Sequence, residues 1–164
     1  MPPARRSRLL FLALLATALA LPGCAASLRG LVKVGVEPAV GPPDVRLQTL
    51  EGRWWRLRLV EDGMALRALD GCTVQVEGRG IARSFLVSAW QVLDAGDGSA
   101  PFVGEVHRMG VNLLIEDKNS GMALILDEAG ARDLALLEGR LVMLRGYIIG
   151  PQTLRVVSYR VLIE

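Results

Sequence analysis

The chain has few of the residues on which most enzyme and metal sites depend. Its 164 residues include only two cysteines, Cys24 and Cys72, and a single histidine, His107. Because no C-x-x-C pair occurs, neither a redox motif nor a cysteine zinc site is indicated. His107 has no serine or cysteine nucleophile motif beside it, and we interpret it as a surface or edge-strand histidine. No catalytic residue, metal ligand or cofactor is therefore predicted.

Two short stretches contain parts of known ligand loops but lack the rest. GRGIAR (78–83) lacks the third glycine and the following helix of a phosphate-binding loop. DAGDGS (94–99) has no downstream glutamate at the spacing of a calcium loop. DAGDGS is interpreted as a turn between the two copies, and GRGIAR is not interpreted as a phosphate loop.

Long apolar runs are absent, with one exception at the N-terminus. Residues 9–21 (LLFLALLATALAL) carry no charge and follow Arg5, Arg6 and Arg8. As a helix they reach about 20 Å at 1.5 Å per residue, which is short of a bilayer core of about 30 Å. A positive head followed by a short apolar core is typical of a secretory signal peptide.

The four residues LPGC (21–24) that end this run resemble the lipobox of bacterial lipoproteins. The resemblance implies that the Cys24 thiol receives a diacylglycerol, that residues 1–23 are removed, and that the new amino group is acylated. Pro22 departs from the commonest pattern, although it keeps the segment extended. Ala25 stands where lipoproteins kept at the inner membrane tend to have aspartate. The expected location is therefore the outer membrane, on its periplasmic side or its surface.

Removal of residues 1–23 changes the charge balance of the protein. The remaining 141 residues carry 16 basic and 17 acidic side chains, a net charge of −1. The basic excess thus belongs to the signal peptide and does not favour a nucleic-acid partner. Cys72 is left alone in an oxidising compartment, where we expect it to be a small buried apolar residue.

Residues 24–44 are predicted to be a lipidated tether. Three prolines and three glycines fall within positions 25–44, a composition typical of linkers. A weak apolar alternation through Leu31, Val32, Val34 and Val36 leaves open a short strand that pairs with the following domain.

The chain repeats itself after residue 44, which predicts a duplicated domain. Three blocks recur in the same order. They are EDGMAL (61–66) and EDKNSGMAL (116–124), then residues 69–78 and 137–146, then residues 87–93 and 156–162.

Each copy has the pattern of short strands, including a hairpin in NLLIEDKNSGMALIL (112–126). A helix is predicted within 127–139, with Asp127 as its cap and Gly139 at its end. This order resembles the OB-fold, a small five-stranded barrel. The predicted fold is all-β with one short helix and two tandem OB-like barrels. Residues 45–95 are a reduced copy without the helix, and residues 101–164 are a complete one.

A single merged sandwich built from both halves is the alternative to two barrels. Domains of about 50–60 residues bury only about 60% of their surface. Leu141 and Met143 are apolar on the face opposite Val142 and Leu144. We therefore expect the two copies to pack against each other.

One strand, RWWRLRLV (53–60), has a composition suited to binding. Its alternation places Trp54, Arg56 and Arg58 on one face and apolar residues on the other. Aromatic and guanidinium groups together suit bases, sugars and anionic groups. The alternative is that Trp54 shields the barrel while the arginines solvate an edge strand.

These features predict a non-enzymatic, membrane-anchored envelope lipoprotein that serves as a binding or structural module for an envelope partner. The expected partners are the membrane, through the lipid anchor, and an envelope protein or glycan. Alternatives are a ligand-binding OB domain for a glycan or other anionic polymer, and a hydrolytic envelope enzyme that draws its acids from scattered residues.

Replacing Cys24 with serine is expected to abolish lipidation and to leave the precursor uncleaved, because the thiol is the acceptor of the lipid. Mass spectrometry of the mature N-terminus measures both effects. An unmodified N-terminus beginning at a residue other than Cys24 in the wild-type protein would contradict the lipobox.

Overall fold

The computed structural model of the chain describes residues 26–35, 44–59 and 63–163. Within these ranges the chain forms two closed five-stranded barrels in tandem. The predicted signal peptide (1–23) and Cys24 lie outside the described residues. No helix of the described ranges has the length and hydropathy needed to cross a bilayer.

The first barrel closes in the strand order 1-2-3-5-4. Strands β1 and β4 pair antiparallel, and β3 and β5 pair in parallel. Its elements are β1 (Ala26–Val34), β2 (Val45–Thr49), β3 (Trp54–Leu59), α1 (Gly63–Arg67), β4 (Thr73–Ile81) and β5 (Ser84–Asp94).

The second barrel has the same connectivity, with the order 6-7-8-10-9. Its elements are β6 (Phe102–Met109), β7 (Asn112–Asp117), β8 (Ala123–Leu126), α2 (Glu128–Leu134), a 3-10 turn (Ala135–Leu137), β9 (Leu141–Ile148) and β10 (Thr153–Ile163). Five strands in this order with a helix between the third and fourth form an OB-like barrel. The predicted fold of two tandem OB-like barrels is thus confirmed.

The first barrel begins earlier than the predicted boundary at residue 45. Ala26–Val34 pairs with β2 on one side and with β4 on the other, which makes it a full member of the barrel. Val32 is completely buried in the core. Within the predicted tether (24–44), Ala26–Val34 forms the short pairing strand that the sequence left open, and the strand belongs to the barrel. Gly30 interrupts the apolar alternation of this strand.

Helices occur in both copies, whereas one was predicted. In α2 the expected cap is present, since the Asp127 carboxylate accepts a hydrogen bond from the Gly130 amide at 3.1 Å. The first copy also has a short helix, α1, in the corresponding position. The shared letters GMAL lie in α1 in one copy and run into β8 in the other. That block of the predicted repeat is therefore not structurally equivalent, because tertiary context overrides local propensity.

The other two blocks of the repeat are equivalent in three dimensions. Val74 and Val142 are the second residues of β4 and β9. Each pairs with a glycine of the first strand of its barrel. These glycines, Gly30 and Gly104, form a match that the sequence comparison missed. A Cβ at either would collide with a carbonyl oxygen of the next strand, so close strand approach requires glycine at both positions.

The outer face of β9 joins the two barrels. Val142 and Leu144 point into the second core, as predicted, and both are fully buried. Leu141 and Met143 point the other way and are buried with residues of the first core. Val103 and Leu162 belong to the same shared cluster. The molecule therefore has two closed barrels with a common apolar interface, rather than one merged sandwich.

Polar contacts hold the same interface at its edges. Arg160 donates from Nη1 to the carbonyl oxygen of Ala68 at 2.9 Å, just after α1. Asn119 donates from Nδ2 to the carbonyl oxygen of Val92 at 3.2 Å. Both contacts involve the end of the first barrel at which β4 begins and β5 ends.

Truncating Leu144 to alanine is expected to lower the free energy of unfolding by about 2–5 kcal/mol, because a fully buried leucine leaves a cavity. The matched control is Leu136→Ala, since Leu136 is 95% exposed and should cost less than about 0.5 kcal/mol. Chemical denaturation of both variants measures the difference. Equal losses of unfolding free energy in the two variants would show that Leu144 of β9 does not point into the core.

Candidate functional site

Strand β3 presents the predicted aromatic and arginine residues to solvent. Trp54, Arg56 and Arg58 are all exposed, with Trp54 49% accessible. Leu57 lies between them in sequence and is buried in the core, so the strand has the expected two-residue period. Trp55 is half-buried and packs edge-to-face on Phe85, with ring centroids 6.1 Å apart. The predicted residues are therefore brought onto one outer face.

Neighbouring strands add two more arginines to this face. Arg46 of β2 lies opposite Arg56, and Asp44 forms ion pairs with both, at 2.7 Å to Arg46 and 2.8 Å to Arg56. One carboxylate thus serves two guanidinium groups. Leu86 of β5 lies opposite Arg58 on one side and Arg79 of β4 on the other.

We call Arg46, Arg56, Arg58 and Arg79 together the basic face. Across the part of the chain that the structure describes, Asp44 is the one carboxylate in an ion pair with any of the four. The face therefore keeps an excess of positive charge that can attract an anionic group.

A hollow of about 400 Å³ opens at one end of this face. It is lined by Arg53, Trp54, Trp55, Ala82 and Arg83, which come from the β2–β3 turn, the start of β3 and the β4–β5 turn. The Arg56 amide donates to the carbonyl oxygen of Arg83 at 3.1 Å and holds the β4–β5 turn against β3. Two indoles beside two guanidiniums form a place where a ring or an anionic group can be held.

Sequence reasoning missed Arg46, Arg53, Ala82 and Arg83 as parts of this site. They lie on other strands or turns, and they meet Trp54 only because β2, β3 and β5 pair in one particular register. No local spacing signals that register. In the structure Ala82 has a positive φ of 54°, which is uncommon in a residue other than glycine, and nothing in the sequence marks it.

A second, smaller cleft of about 220 Å³ lies between the barrels. Its walls include Gln75, Glu77, Trp90 and Lys118. The Lys118 ammonium lies 6.0 Å from the centre of the Trp90 ring, within the range of a cation–π contact. Lys118 therefore covers one face of the Trp90 ring at the wall of this cleft.

The single histidine lies on strand β6, and the aspartates of DAGDGS lie at the end of β5 and in the turn that follows. The half-buried His107 lies 4.0 Å from Glu105, measured from Nδ1 to Oε1. Asp94 accepts hydrogen bonds from the Gly96 and Gly98 amides, so the DAGDGS stretch is a turn, as predicted. In the described ranges no three histidine, cysteine or acidic side chains converge as metal ligands would.

Asp117 is a buried carboxylate with a structural role. It accepts a hydrogen bond from the Val103 amide at 2.9 Å and from the Ser120 amide and hydroxyl at 3.0 and 2.6 Å. These three donors satisfy the carboxylate and fix the β7–β8 turn against β6. Asp117 therefore stabilises the second barrel and presents no free oxygen to a ligand site.

Comparison with known proteins adds little to this description. No protein-family model matches the chain, and no curated protein matches it. The similar solved structures include a tetrameric p202 HIN2 (12% identical, TM-score 0.28) and a murine DNA-binding protein bound to double-stranded DNA (11% identical, TM-score 0.24). The first alignment covers 84% of this chain and 93% of the other, and the second covers 85% and 99%. At such TM-scores neither likeness carries an argument about this chain.

Cys72 is expected to be unreactive in the folded protein. Its side chain is completely buried, and burial raises the pKa of the thiol, so little thiolate is available at neutral pH. In a Cys24→Ser chain, a thiol reagent at pH 7 should label Cys72 only after unfolding in denaturant. Rapid labelling without denaturant would contradict the burial of Cys72.

Proposed function

We propose that this protein is a non-enzymatic envelope lipoprotein, anchored in the outer membrane through Cys24, whose barrels bind an anionic partner in the envelope. The lipobox-like LPGC (21–24) supports the anchor. The main support for a binding role is that Trp54 and the four arginines of the basic face lie together on the outside of the first barrel. Among the described residues, Asp44 is the one carboxylate that forms ion pairs with these arginines.

The chemistry of this surface favours a partner with negative charge. Guanidinium groups form paired hydrogen bonds with carboxylates and phosphates, and Arg58 has no ion-pair partner within the described ranges. The lipid anchor keeps the protein at a membrane, where anionic polymers and anionic protein surfaces are concentrated. Nucleic acid is not the favoured partner because an exported lipoprotein is separated from it.

A glycan ligand is the second candidate, and the hollow at the end of the face favours it. Trp54 and Trp55 both line that hollow, and indole rings stack on the apolar faces of sugars. The two candidates differ in salt dependence, since charge pairing is screened over about 8–10 Å at ordinary ionic strength while stacking is not.

The double variant Trp54→Ala/Arg56→Ala is expected to lose most partner capture from envelope extracts and to melt at nearly the wild-type temperature, because both side chains are exposed. Capture is measured by quantitative pull-down with the tagged mature protein at low and high salt. An anionic partner should be lost at high salt, whereas a stacked neutral glycan should be retained.

The second barrel offers a matched control for this experiment. Tyr147 is 52% exposed, and the Arg155 guanidinium lies 5.9 Å from its ring centre. Tyr147→Ala/Arg155→Ala therefore removes the same chemistry from the other barrel and should leave capture unchanged. Equal losses from both double variants, or an early-melting Trp54→Ala/Arg56→Ala protein, would overturn the assignment of the binding face to β3.

A further inference from the structure

One end of the first barrel combines exposed apolar groups with arginines. It consists of the β2–β3 turn, the β4–β5 turn and the start of β1, and we call it the proximal end. Leu50 is 79% exposed in the first turn, Ile81 is 59% exposed beside the second, and Trp54 lies between them. Leu86 is the one other large apolar side chain of this barrel that is exposed among those described.

Positive charge surrounds these apolar groups. Arg53 and Arg83 line the hollow next to Trp54, and Arg79 precedes Ile81 by two residues on β4. Glu51 is the acidic residue of the β2–β3 turn, where it lies close enough to Arg53 to interact electrostatically. Exposed apolar groups ringed by arginines are typical of surfaces that lie at a lipid headgroup layer.

The cysteine proposed to carry the lipid is separated by only two positions in sequence from a described residue near this end. The first described residue of β1, Ala26, pairs with Gly78 on β4, three residues before Ile81. Cys24 precedes Ala26 by two residues, and two residues of chain span about 7 Å at most. A lipid on Cys24 therefore holds the start of β1 within that distance of its attachment point.

The second barrel leaves this end free. Its hydrogen bonds to Ala68 and Val92 are at the opposite end of the first barrel, where β4 begins and β5 ends. Along β4 its Lys118 reaches the cleft wall at Glu77, which leaves the β2–β3 and β4–β5 turns uncovered. Strand β4 runs nine residues from that end to Ile81, a length of about 26 Å at 3.3 Å per residue. The two barrels are thus stacked away from the point at which the anchored N-terminus enters.

We propose that the proximal end docks on the membrane that holds the anchor, with Trp54, Ile81 and Leu50 at the headgroup layer and Arg53 and Arg83 on anionic lipid phosphates. This inference rests on the proposed lipid anchor at Cys24 and names the membrane as the first partner of the Trp54 surface. Docking orients the chain so that the second barrel projects from the bilayer. Arg46 and Arg58, farther along the face, remain available for another partner.

Quenching of tryptophan emission by brominated lipids tests this docking directly. Residues 24–164 contain every described strand, and Cys24 can be coupled to a maleimide phospholipid while the buried Cys72 does not react. The vesicles contain phosphatidylglycerol and phosphatidylcholine with brominated acyl chains, which quench an indole only on close approach. We expect the coupled wild-type protein to be quenched and Trp54→Phe to lose the larger part of that quenching. Trp90→Phe, which removes an indole at the barrel interface, should keep it.

The charge contribution is tested in the same vesicles. Quenching should be at least about twofold stronger with phosphatidylglycerol than with phosphatidylcholine alone, and Arg53→Glu/Arg83→Glu should remove that difference. Arg108→Glu/Arg132→Glu makes the same change on the second barrel and should preserve it. Ile81→Asp provides an independent apolar variant, whose folding is checked by its melting temperature.

The outcomes separate this inference from the proposed anchor. Absence of quenching in the coupled protein, or equal losses in Trp54→Phe and Trp90→Phe, would overturn membrane docking. Because coupling imposes the attachment chemically, that result does not depend on natural lipidation. Finding an unmodified N-terminus in cells would instead contradict the proposed anchor. The quenching measured with the coupled protein would still show that the proximal end contacts lipid.

Discussion

The apolar contact between the outer face of β9 and the first barrel is the interaction on which the rest of the molecule depends. Leu141 and Met143 are buried there with residues of the first core. Barrels of about 60 residues bury only about 60% of their surface and are marginal alone. The shared cluster adds burial to both, so each barrel depends on the other for part of its stability.

That contact also determines which end of the first barrel is covered and which is exposed. It covers the end of the first barrel at which β4 begins, and it leaves the end with Trp54 and Ile81 open. Closure of both barrels pairs every described strand on two sides, which removes the free edges through which sheets aggregate. The exposed side chains of the proximal end are therefore left accessible by the contact between the barrels, and we propose that this end faces the membrane.

Sequence reasoning succeeded where a local pattern determines the outcome. The alternation in RWWRLRLV correctly placed Trp54 outside and Leu57 inside, and Asp127 was correctly identified as a helix cap. The apolar second face of β9 correctly predicted contact between the copies. Each of these depends on strand periodicity or helix capping, which act over a few residues.

It failed where the outcome depends on distant parts of the chain. Strand β1 was left only as an option within a tether because the segment is rich in proline and glycine, yet Gly30 is required by the close approach of β2. Helix α1 was missed because GMAL has no fixed preference for helix or strand. Arg46 and Arg83 join Trp54 only through the register of paired strands, and no spacing in the sequence encodes that register.

Hydrogen exchange of the lipidated protein on anionic vesicles, compared with the Cys24→Ser chain in solution, tests the central claim most directly. If the first barrel docks on the membrane, amide exchange on the vesicles should slow only in the two proximal turns, residues 50–53 and 81–83. The second barrel should exchange equally in both samples. Unchanged exchange in those turns, or protection appearing instead in the β6–β7 and β7–β8 turns, would contradict the account.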